Sequence, residues 1–230
     1  MRRKGGVGNS FLAALCAMEL ARRGVETTAI DCTAQKALRY YFGLDTSQDL
    51  LRFDASGEEP FAVSGVSLRD GHAPGEATEI AAKIENLRNR GGGAVIVDVA
   101  SGDMALLDAL LPIANLRVCM IDPGPVALNA LIHLGQGVPL LDLERTALVL
   151  NLRDDTRKLS RHIHMLCNSA FAPLMIGSVR RDECVNEAVA KLDPLPKAYP
   201  ASPALKDIEQ LASRIMDRIA TGVHEQEAAR

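Results

Sequence analysis

The sequence has no tryptophan, and aromatic residues make up only 3% of its 230 residues. It also lacks an apolar run of about 20 residues, the length that a helix needs to cross a bilayer. The N-terminus has no apolar core of the kind found in signal peptides. We therefore expect a soluble, cytoplasmic protein that inserts no segment into a membrane.

Cysteine pairs at metal-binding spacing are absent as well. The five cysteines are odd in number and scattered, which is typical of reduced thiols and not of a zinc site. An excess of positive charge is missing too, because the formal net charge is −3. That balance disfavours nucleic acid as a partner. No nucleophile elbow accompanies the five histidines, so a Ser/His/Asp triad is not indicated.

The composition is that of an ordinary globular protein, with 47% apolar and 24% charged residues. We predict one domain over residues 1–222 and a disordered tail over 223–230. Strand and helix patterns alternate, which favours a doubly wound α/β fold with a mostly parallel sheet and helices on both faces. Helices are predicted at 10–23, 76–90, 125–134, 155–169, 182–192 and 203–220. Strands are predicted at 25–31, 94–98, 116–121, 146–150 and 173–179, with an edge strand and a mobile loop within 45–75.

A glycine-rich turn with the sequence KGGVGNS spans residues 4–10 and leads into an apolar helical pattern that Gly24 should stop. The free backbone N–H groups of such a turn and the helix dipole together favour a bound phosphate. Ser10 could either cap the helix or ligate Mg²⁺. The usual P-loop pattern G-x-x-x-x-G-K-[ST] is not met, because Asn9 occupies the lysine position. A turn that only starts a helix is the alternative.

Aspartates stand at the carboxyl ends of the first two predicted strands. The apolar run 94–97 predicts a buried strand, and Asp98 follows it in the pattern of a Walker B carboxylate that holds Mg²⁺. Ligands of open α/β sheets gather at these strand ends, so Asp31 and Asp98 should lie near the glycine-rich turn. An aspartate that caps the next helix is the alternative for Asp98.

A P-loop normally follows a buried strand, yet only Met1, Arg2 and Arg3 precede Lys4. The first strand of the predicted sheet is therefore truncated in this sequence. Either the start codon is assigned too far downstream, or this version of the fold does without the strand. We favour the first explanation, because loss of a central strand would expose two hydrophobic faces.

The spacing K-G-G-V-G-x-[ST] resembles the deviant Walker A motif of the MinD/ParA ATPases, which belong to the SIMIBI class of P-loop proteins. The hallmark of that motif is a lysine before two glycines, and Lys4 fills its position. The resemblance implies ATP and Mg²⁺ as cofactors. It also implies a nucleotide-dependent homodimer in which the hallmark lysine reaches the phosphates of the partner.

Residue roles follow from the same resemblance. It implies catalytic roles for Lys4 and Asp98, and Mg²⁺ ligation by Ser10 and Asp98. It implies nucleotide contacts at Gly5, Gly6, Val7, Gly8, Asn9, Ser10, Phe11, Asp31, Asn151, Val179 and Arg180. Asn151 matches the position that contacts adenine in relatives, with an ordinary strand-end turn residue as the alternative, and the loop 179–181 would flank the base.

Two positions depart from the active members of that family. Asn9 replaces the lysine that neutralises phosphate charge, and Thr33 stands where active members carry an aspartate in switch I. Because phosphoryl transfer depends on electrostatic stabilisation, these losses should reduce hydrolysis more than binding. We therefore expect at most a slow ATPase.

Two stretches resemble one branch of the family, the BcsQ/YhjQ proteins encoded with bacterial cellulose synthase. One is the segment 31–45, which ends in Leu-Arg-x-x-Phe-x-x-Asp, and the other is the run "RDE…EA…P…Y.P.S" over 181–202. This likeness implies a regulator that helps localise or assemble a cellulose synthase complex, with synthase accessory subunits as partners. A ParA-type partition ATPase for DNA or other cargo and a degenerate, non-catalytic scaffold are the alternatives.

Two further interpretations are disfavoured. The C-terminal helix carries an apolar stripe of Leu205, Ile208, Leu211, Ile215 and Ile219, but acidic residues are interspersed and bulky aromatics are missing, which favours core packing over a membrane anchor. A dinucleotide-binding oxidoreductase would need G-x-G-x-x-G spacing, which residues 5–8 do not have.

Overall fold

The helices and strands alternate along the chain as the sequence predicts. The computed structural model describes residues 7–53, 62–72, 75–90, 93–126 and 145–228, with the backbone alone for 222–228. These residues belong to two compact units. The first unit contains 9–113 and 183–205, and the second contains the residues up to Gly8, 114–182 and those from Lys206 onward. The single domain over 1–222 stays a prediction.

The first unit is built on a four-stranded sheet. Its elements, in chain order, are α1 (Asn9–Arg22), β1 (Thr27–Asp31), α2 (Leu38–Tyr41), β2 (Ala62–Val63), β3 (Val66–Asp70), α3 (Ala77–Arg90), β4 (Ala94–Asp98), α4 (Met104–Leu110), α6 (Glu183–Ala190) and α7 (Leu195–Ala198). The strand order is β2-β3-β1-β4, and only β2 runs antiparallel to its neighbour. A buried cluster that includes Ile30, Ile84 and Leu106 joins this sheet to α3 and α4.

The register of this sheet brings its aspartates together. In the parallel pairing, Asp31 of β1 lies opposite Asp98 of β4 on one side and Asp70 of β3 on the other. The carboxyl ends of three adjacent strands therefore form one acidic edge, as predicted for Asp31 and Asp98.

The second unit has a parallel three-stranded sheet with the order β5-β6-β7. Its strands are β5 (Arg117–Ile121), β6 (Thr146–Arg153) and β7 (Met175–Arg180), and α5 (Lys158–Ala170) connects the last two. The central strand β6 is buried from Thr146 to Asn151, as expected for an apolar strand with neighbours on both sides. Ile163 and Cys167 of α5 pack on this sheet in a second apolar cluster.

Gly24 ends α1 as predicted. Its φ of +83° lies in the left-handed region, and its N–H donates to the carbonyl of Ala21. The helix that it ends is buried on most sides, with Phe11, Leu15 and Met18 each at most 5% exposed.

Several predicted elements need correction. The edge strand predicted within 45–75 is β2, which lies at the end of the strand order, and β3 is a further, internal strand that pairs with β1 and β2 on its two sides. Among the described strands β4 is at the end of its sheet, and residues 94–97 are half-buried while Asp98 is buried, whereas a buried strand was predicted. The short helices α2, α4 and α7 were not predicted, because four to seven residues carry too little periodicity. Most of the predicted helix 125–134 lies outside the described residues.

The last helix, α8 (Pro203–Ala228), is longer than predicted. It continues past residue 220 into the segment expected to be a disordered tail, because 223–228 contain good helix formers and no proline. Ile208 and Leu211 of its apolar stripe are each 1% exposed, which fits core packing. No helix within the described ranges is long and apolar enough to cross a membrane.

Candidate functional site

The glycine-rich turn is described from Val7 onward, and Lys4, Gly5 and Gly6 lie outside the described residues. Gly8 has a φ of +96°, a conformation that glycine adopts without a steric penalty. In the second unit, the side-chain amide of Asn151 donates to the carbonyl oxygen of Val7 at 2.8 Å. A β-carbon added to Gly8 would lie 2.2 Å from that amide nitrogen. Gly8 is therefore required both by its backbone angle and by the close approach of Asn151.

Asn151 was predicted to contact adenine, and its amide nitrogen has a different partner in the described structure. The residue is 3% exposed, lies near the end of β6 and holds the glycine-rich turn through its hydrogen bond to the carbonyl oxygen of Val7. Bonds between residues 144 positions apart are not visible in local sequence patterns. This supporting role is one that the sequence analysis missed.

The first unit places Ser10, in the first turn of α1, against Asp98 at the end of β4. A side-chain hydrogen bond links Ser10 to the Asp98 carboxylate, whose Oδ2 atom is buried without a hydrogen-bond partner among the described residues. Asp98 is 2% exposed. Burial, with a smaller contribution from the nearby Asp31 carboxylate, raises the pKa of Asp98 to about 6, against the lowering effect of the Ser10 bond.

The Ser10–Asp98 pair fits Mg²⁺. One carboxylate and one hydroxyl are a typical protein contribution to a magnesium site in which phosphates and water supply the other ligands. An unpartnered buried carboxylate oxygen is also the group that a cation would stabilise. Among the described residues, no three His, Cys, Asp or Glu side chains group into a metal site made of protein ligands alone.

Asp31 has a different environment, although it lies beside Asp98 in the sheet. Its Oδ1 accepts hydrogen bonds from the backbone N–H of Thr33 at 2.9 Å and from the Thr33 hydroxyl at 2.6 Å. Its Oδ2 accepts from the N–H of Leu38 at 2.9 Å. Asp31 is 1% exposed and holds the turn between β1 and α2, so its carboxylate is already occupied by protein donors.

Thr33→Asp, which restores the residue of active relatives, is expected to destabilise the protein and not to accelerate hydrolysis. The new carboxylate would replace a hydroxyl that donates to Asp31 and would face that carboxylate in a buried site. We expect a loss of about 2 to 4 kcal/mol in the free energy of unfolding, measured by urea denaturation. Thr33→Ser keeps the hydroxyl and should remain within about 1 kcal/mol of the wild type. A stable Thr33→Asp variant with faster ATP turnover would contradict this expectation.

Phe11, Val179 and Arg180, which were predicted to contact nucleotide, use their side chains within the protein. Phe11 is 5% exposed and packs edge-to-face on Tyr41, with ring centroids 5.9 Å apart. Val179 is fully buried in β7. The Nε and Nη2 atoms of Arg180 each lie 2.8 Å from a carboxylate oxygen of Asp207. Any contact of Phe11 or Val179 with a nucleotide is therefore left to the backbone.

Leu152, next to Asn151, adopts a left-handed backbone conformation with a φ of +55°. An L-residue pays roughly 1 to 2 kcal/mol for this conformation, and the 39% exposed side chain recovers only part of that cost by packing. Leu152→Gly should therefore raise the free energy of unfolding by about 0.5 to 1 kcal/mol, measured by urea denaturation. Leu152→Ala keeps the strained backbone and should not stabilise the protein. Equal effects of the two substitutions would exclude backbone strain as the cause.

Comparisons with known proteins identify the fold. A family model described as "CobQ/CobB/MinD/ParA nucleotide binding domain" matches residues 1–195. The cell division protein MinD of Aquifex aeolicus superposes with a TM-score of 0.71 at 19% identity, covering 93% of each chain. A ParA family ATPase from Chlorobium tepidum superposes with a TM-score of 0.73 at 19% identity, covering 91% of this chain and 95% of its own. No curated protein matches the sequence significantly.

At such identities the solved structures show the fold alone, which confirms the predicted α/β fold with mostly parallel sheets flanked by helices, that of MinD/ParA P-loop proteins. The family follows from the sequence model, because that model spans most of the chain. On that basis, the chain belongs to the CobQ/CobB/MinD/ParA nucleotide-binding family.

Proposed function

We propose that this protein binds ATP with Mg²⁺ and acts as a nucleotide-dependent dimeric regulator with slow or absent hydrolysis. The observation that carries the proposal is the Ser10–Asp98 pair, because Asp98 keeps one buried carboxylate oxygen without a partner in the described structure. Along the chain, Ser10 comes two residues after Gly8, which has a φ of +96°. A relative from Pyrococcus horikoshii, the septum site-determining protein MinD, is described as complexed with Mg-ADP.

Ser10 and Asp98 would hold Mg²⁺, and the ion would neutralise phosphate charge when bound. The backbone N–H groups of the turn would bind the phosphates, helped by the dipole of α1. Asn9 offers an uncharged amide where P-loop proteins carry a lysine, and Thr33 is engaged with Asp31. Loss of one such electrostatic contact typically lowers a rate by about 10² to 10³. Slow turnover with retained binding is the expected result.

Titration calorimetry of ATP, with and without Mg²⁺, tests this proposal. We expect micromolar binding that depends on Mg²⁺ and is lost in Lys4→Ala. Lys158→Ala is the matched control, because it removes the same charge from an exposed site in α5. Failure of the folded wild-type protein to bind ATP would overturn the proposal and leave the scaffold alternative.

The dimer is tested separately by light scattering on the same samples. We expect the mass to double when ATP and Mg²⁺ are added, and Lys4→Ala to remain a monomer. A monomer at saturating ATP would refute the dimeric switch while leaving the nucleotide site intact. A structural match from Aquifex aeolicus is described as a MinC:MinD cell division protein complex, in which a protein of this fold is bound to a partner.

The cargo that we propose is a bacterial cellulose synthase complex, to which this protein would be recruited at the inner membrane. Support comes from the segment 31–45 and the run over 181–202, which resemble the BcsQ/YhjQ branch. Co-purification of the tagged protein with synthase accessory subunits in the presence of ATP tests this role.

A ParA-type partition ATPase is the second candidate, and a ParA family ATPase is among the structural matches. ATP-dependent retention of DNA in a gel-shift assay would favour it.

A further inference from the structure

A polar cavity of about 460 Å³ lies within the second unit, and its lining includes neither Ser10 nor Asp98. Its lining residues belong to β6, β7, α5 and α8. Its lining is almost entirely polar and includes Arg153, His164, Asn168, Ser178, Gln210 and Arg214. The volume is within the range of small-molecule sites, about 300 to 1,000 Å³.

Three arginines line this cavity, and one of them is neutralised. Arg180 forms a bidentate ion pair with Asp207, whose carboxylate also accepts from the backbone N–H of Arg180 at 2.9 Å. Such a fork-to-carboxylate pair satisfies both partners. Arg180 therefore shapes the wall of the cavity, together with Asp207.

The charges of Arg153 and Arg214 are less completely balanced by carboxylates than the charge of Arg180. Arg153 donates to the hydroxyl of Ser178 at 2.9 Å, and its ion pair with Asp155, at 3.1 Å, is weakened by solvent because Asp155 is 57% exposed. The Nε atom of Arg153 is buried without a partner among the described residues. Arg214 donates to the neutral carbonyl oxygen of Ile176 at 2.6 Å and forms no ion pair with a carboxylate among the described residues. Two guanidinium groups from different elements thus face one space.

The neutral part of the lining can bind hydroxyl groups. Asn168 and Gln210 offer amide donors and acceptors on opposite helices. Burial and the adjacent Arg153 lower the pKa of His164, so its imidazole is uncharged at neutral pH and can donate or accept one hydrogen bond.

We propose that this cavity binds a small phosphate monoester, such as a phosphorylated sugar. The guanidinium forks of Arg153 and Arg214 match the geometry of phosphate oxygens, and the amide and imidazole groups match the hydroxyls of the ester moiety. The inference does not depend on ATP binding at the glycine-rich turn.

The arginine Nε–Hε signals in ¹H–¹⁵N NMR spectra test this inference directly. Glucose 6-phosphate, inorganic phosphate and glucose are titrated in turn at constant ionic strength. We expect saturable shifts of the Arg153 and Arg214 signals with glucose 6-phosphate, about tenfold weaker binding of inorganic phosphate, and no shift with glucose. Equal affinity for the two phosphates would overturn the monoester assignment, and shifts that do not saturate would show only non-specific charge binding and overturn the site.

Variants separate this cavity from the glycine-rich turn. Arg214→Met should weaken glucose 6-phosphate binding at least tenfold, whereas Arg90→Met, which removes the same charge from an exposed site on α3, should not. Asn168→Asp adds a negative charge at an exposed position of the lining and should also weaken binding without affecting the fold. Lys4→Ala should leave binding unchanged. Unaltered binding in Arg214→Met and Asn168→Asp, or loss of binding in Lys4→Ala, would overturn the proposal.

Discussion

Gly8→Ala is expected to weaken ATP binding by about 100-fold or more, equivalent to about 2.8 kcal/mol, and to destabilise the protein. The new β-carbon would lie 2.2 Å from the amide nitrogen of Asn151, so that side chain must move. Because Asn151 is buried and bonded to Val7, the movement breaks a hydrogen bond in a closely packed place. The turn that should bind the phosphates would then lose its support.

Gly24→Ala is the matched control for this substitution. Gly24 has a similar φ of +83°, but nothing lies within 4 Å of the position that its β-carbon would occupy. Backbone strain alone should cost about 1 to 2 kcal/mol there, and ATP affinity should not change. In urea denaturation we expect Gly8→Ala to lose about 1 kcal/mol more than Gly24→Ala, the typical value of one hydrogen bond. Equal losses of unfolding free energy in the two variants would show that the Asn151 side chain moves aside at no cost.

Asp98→Asn is expected to stabilise the protein at neutral pH while it abolishes Mg²⁺-dependent ATP binding. The folded state raises the pKa of Asp98 from 3.8 to about 6, so the folded protein retains the proton to a higher pH than the unfolded chain. Ionisation of Asp98 therefore lowers stability, and this loss develops between about pH 4 and pH 6 and is complete above it. The expected size is about 3 kcal/mol without Mg²⁺, at 1.36 kcal/mol per pKa unit.

The test compares denaturation curves of the wild type and Asp98→Asn from pH 3.5 to pH 8 in EDTA. The difference should grow from near zero at the acidic end to about 3 kcal/mol at pH 7. Asp31→Asn is the contrasting control, because its amide would direct a donor at the N–H of Leu38 or at Thr33, and it should lose about 2 to 3 kcal/mol at neutral pH. A pH-independent difference for Asp98→Asn would exclude ionisation of Asp98 as the cause.

These two results separate two kinds of group at one acidic edge. Asp31 and Asp98 face each other in the sheet register, yet one is saturated by protein donors and the other keeps an unpartnered oxygen. A buried polar group without a partner costs stability and is retained where a ligand compensates it. The opposite expected signs of the two substitutions follow from that difference.

The sequence by itself determined the features that depend on neighbouring residues. The start of α1 after the glycine-rich turn, the stop at Gly24 and the strand over 94–98 with its terminal aspartate are local patterns, and each lies where it was predicted. The alternation of such elements was enough to predict the α/β class. It also placed Asp31 and Asp98 at one edge, because parallel strands share their carboxyl ends.

Only the tertiary structure decided which hydrogen-bond partners and neighbours each functional side chain has. The Asn151 amide supports Val7 across 144 positions, and Arg153 and Arg214 meet around one cavity from a strand and a distant helix. The internal position of β3 likewise depends on its pairing with β1 and β2, and the residues of β3 alone do not predict that pairing. Such contacts join segments that are far apart in the chain. They depend on side-chain packing and strand pairing, which local sequence patterns do not predict.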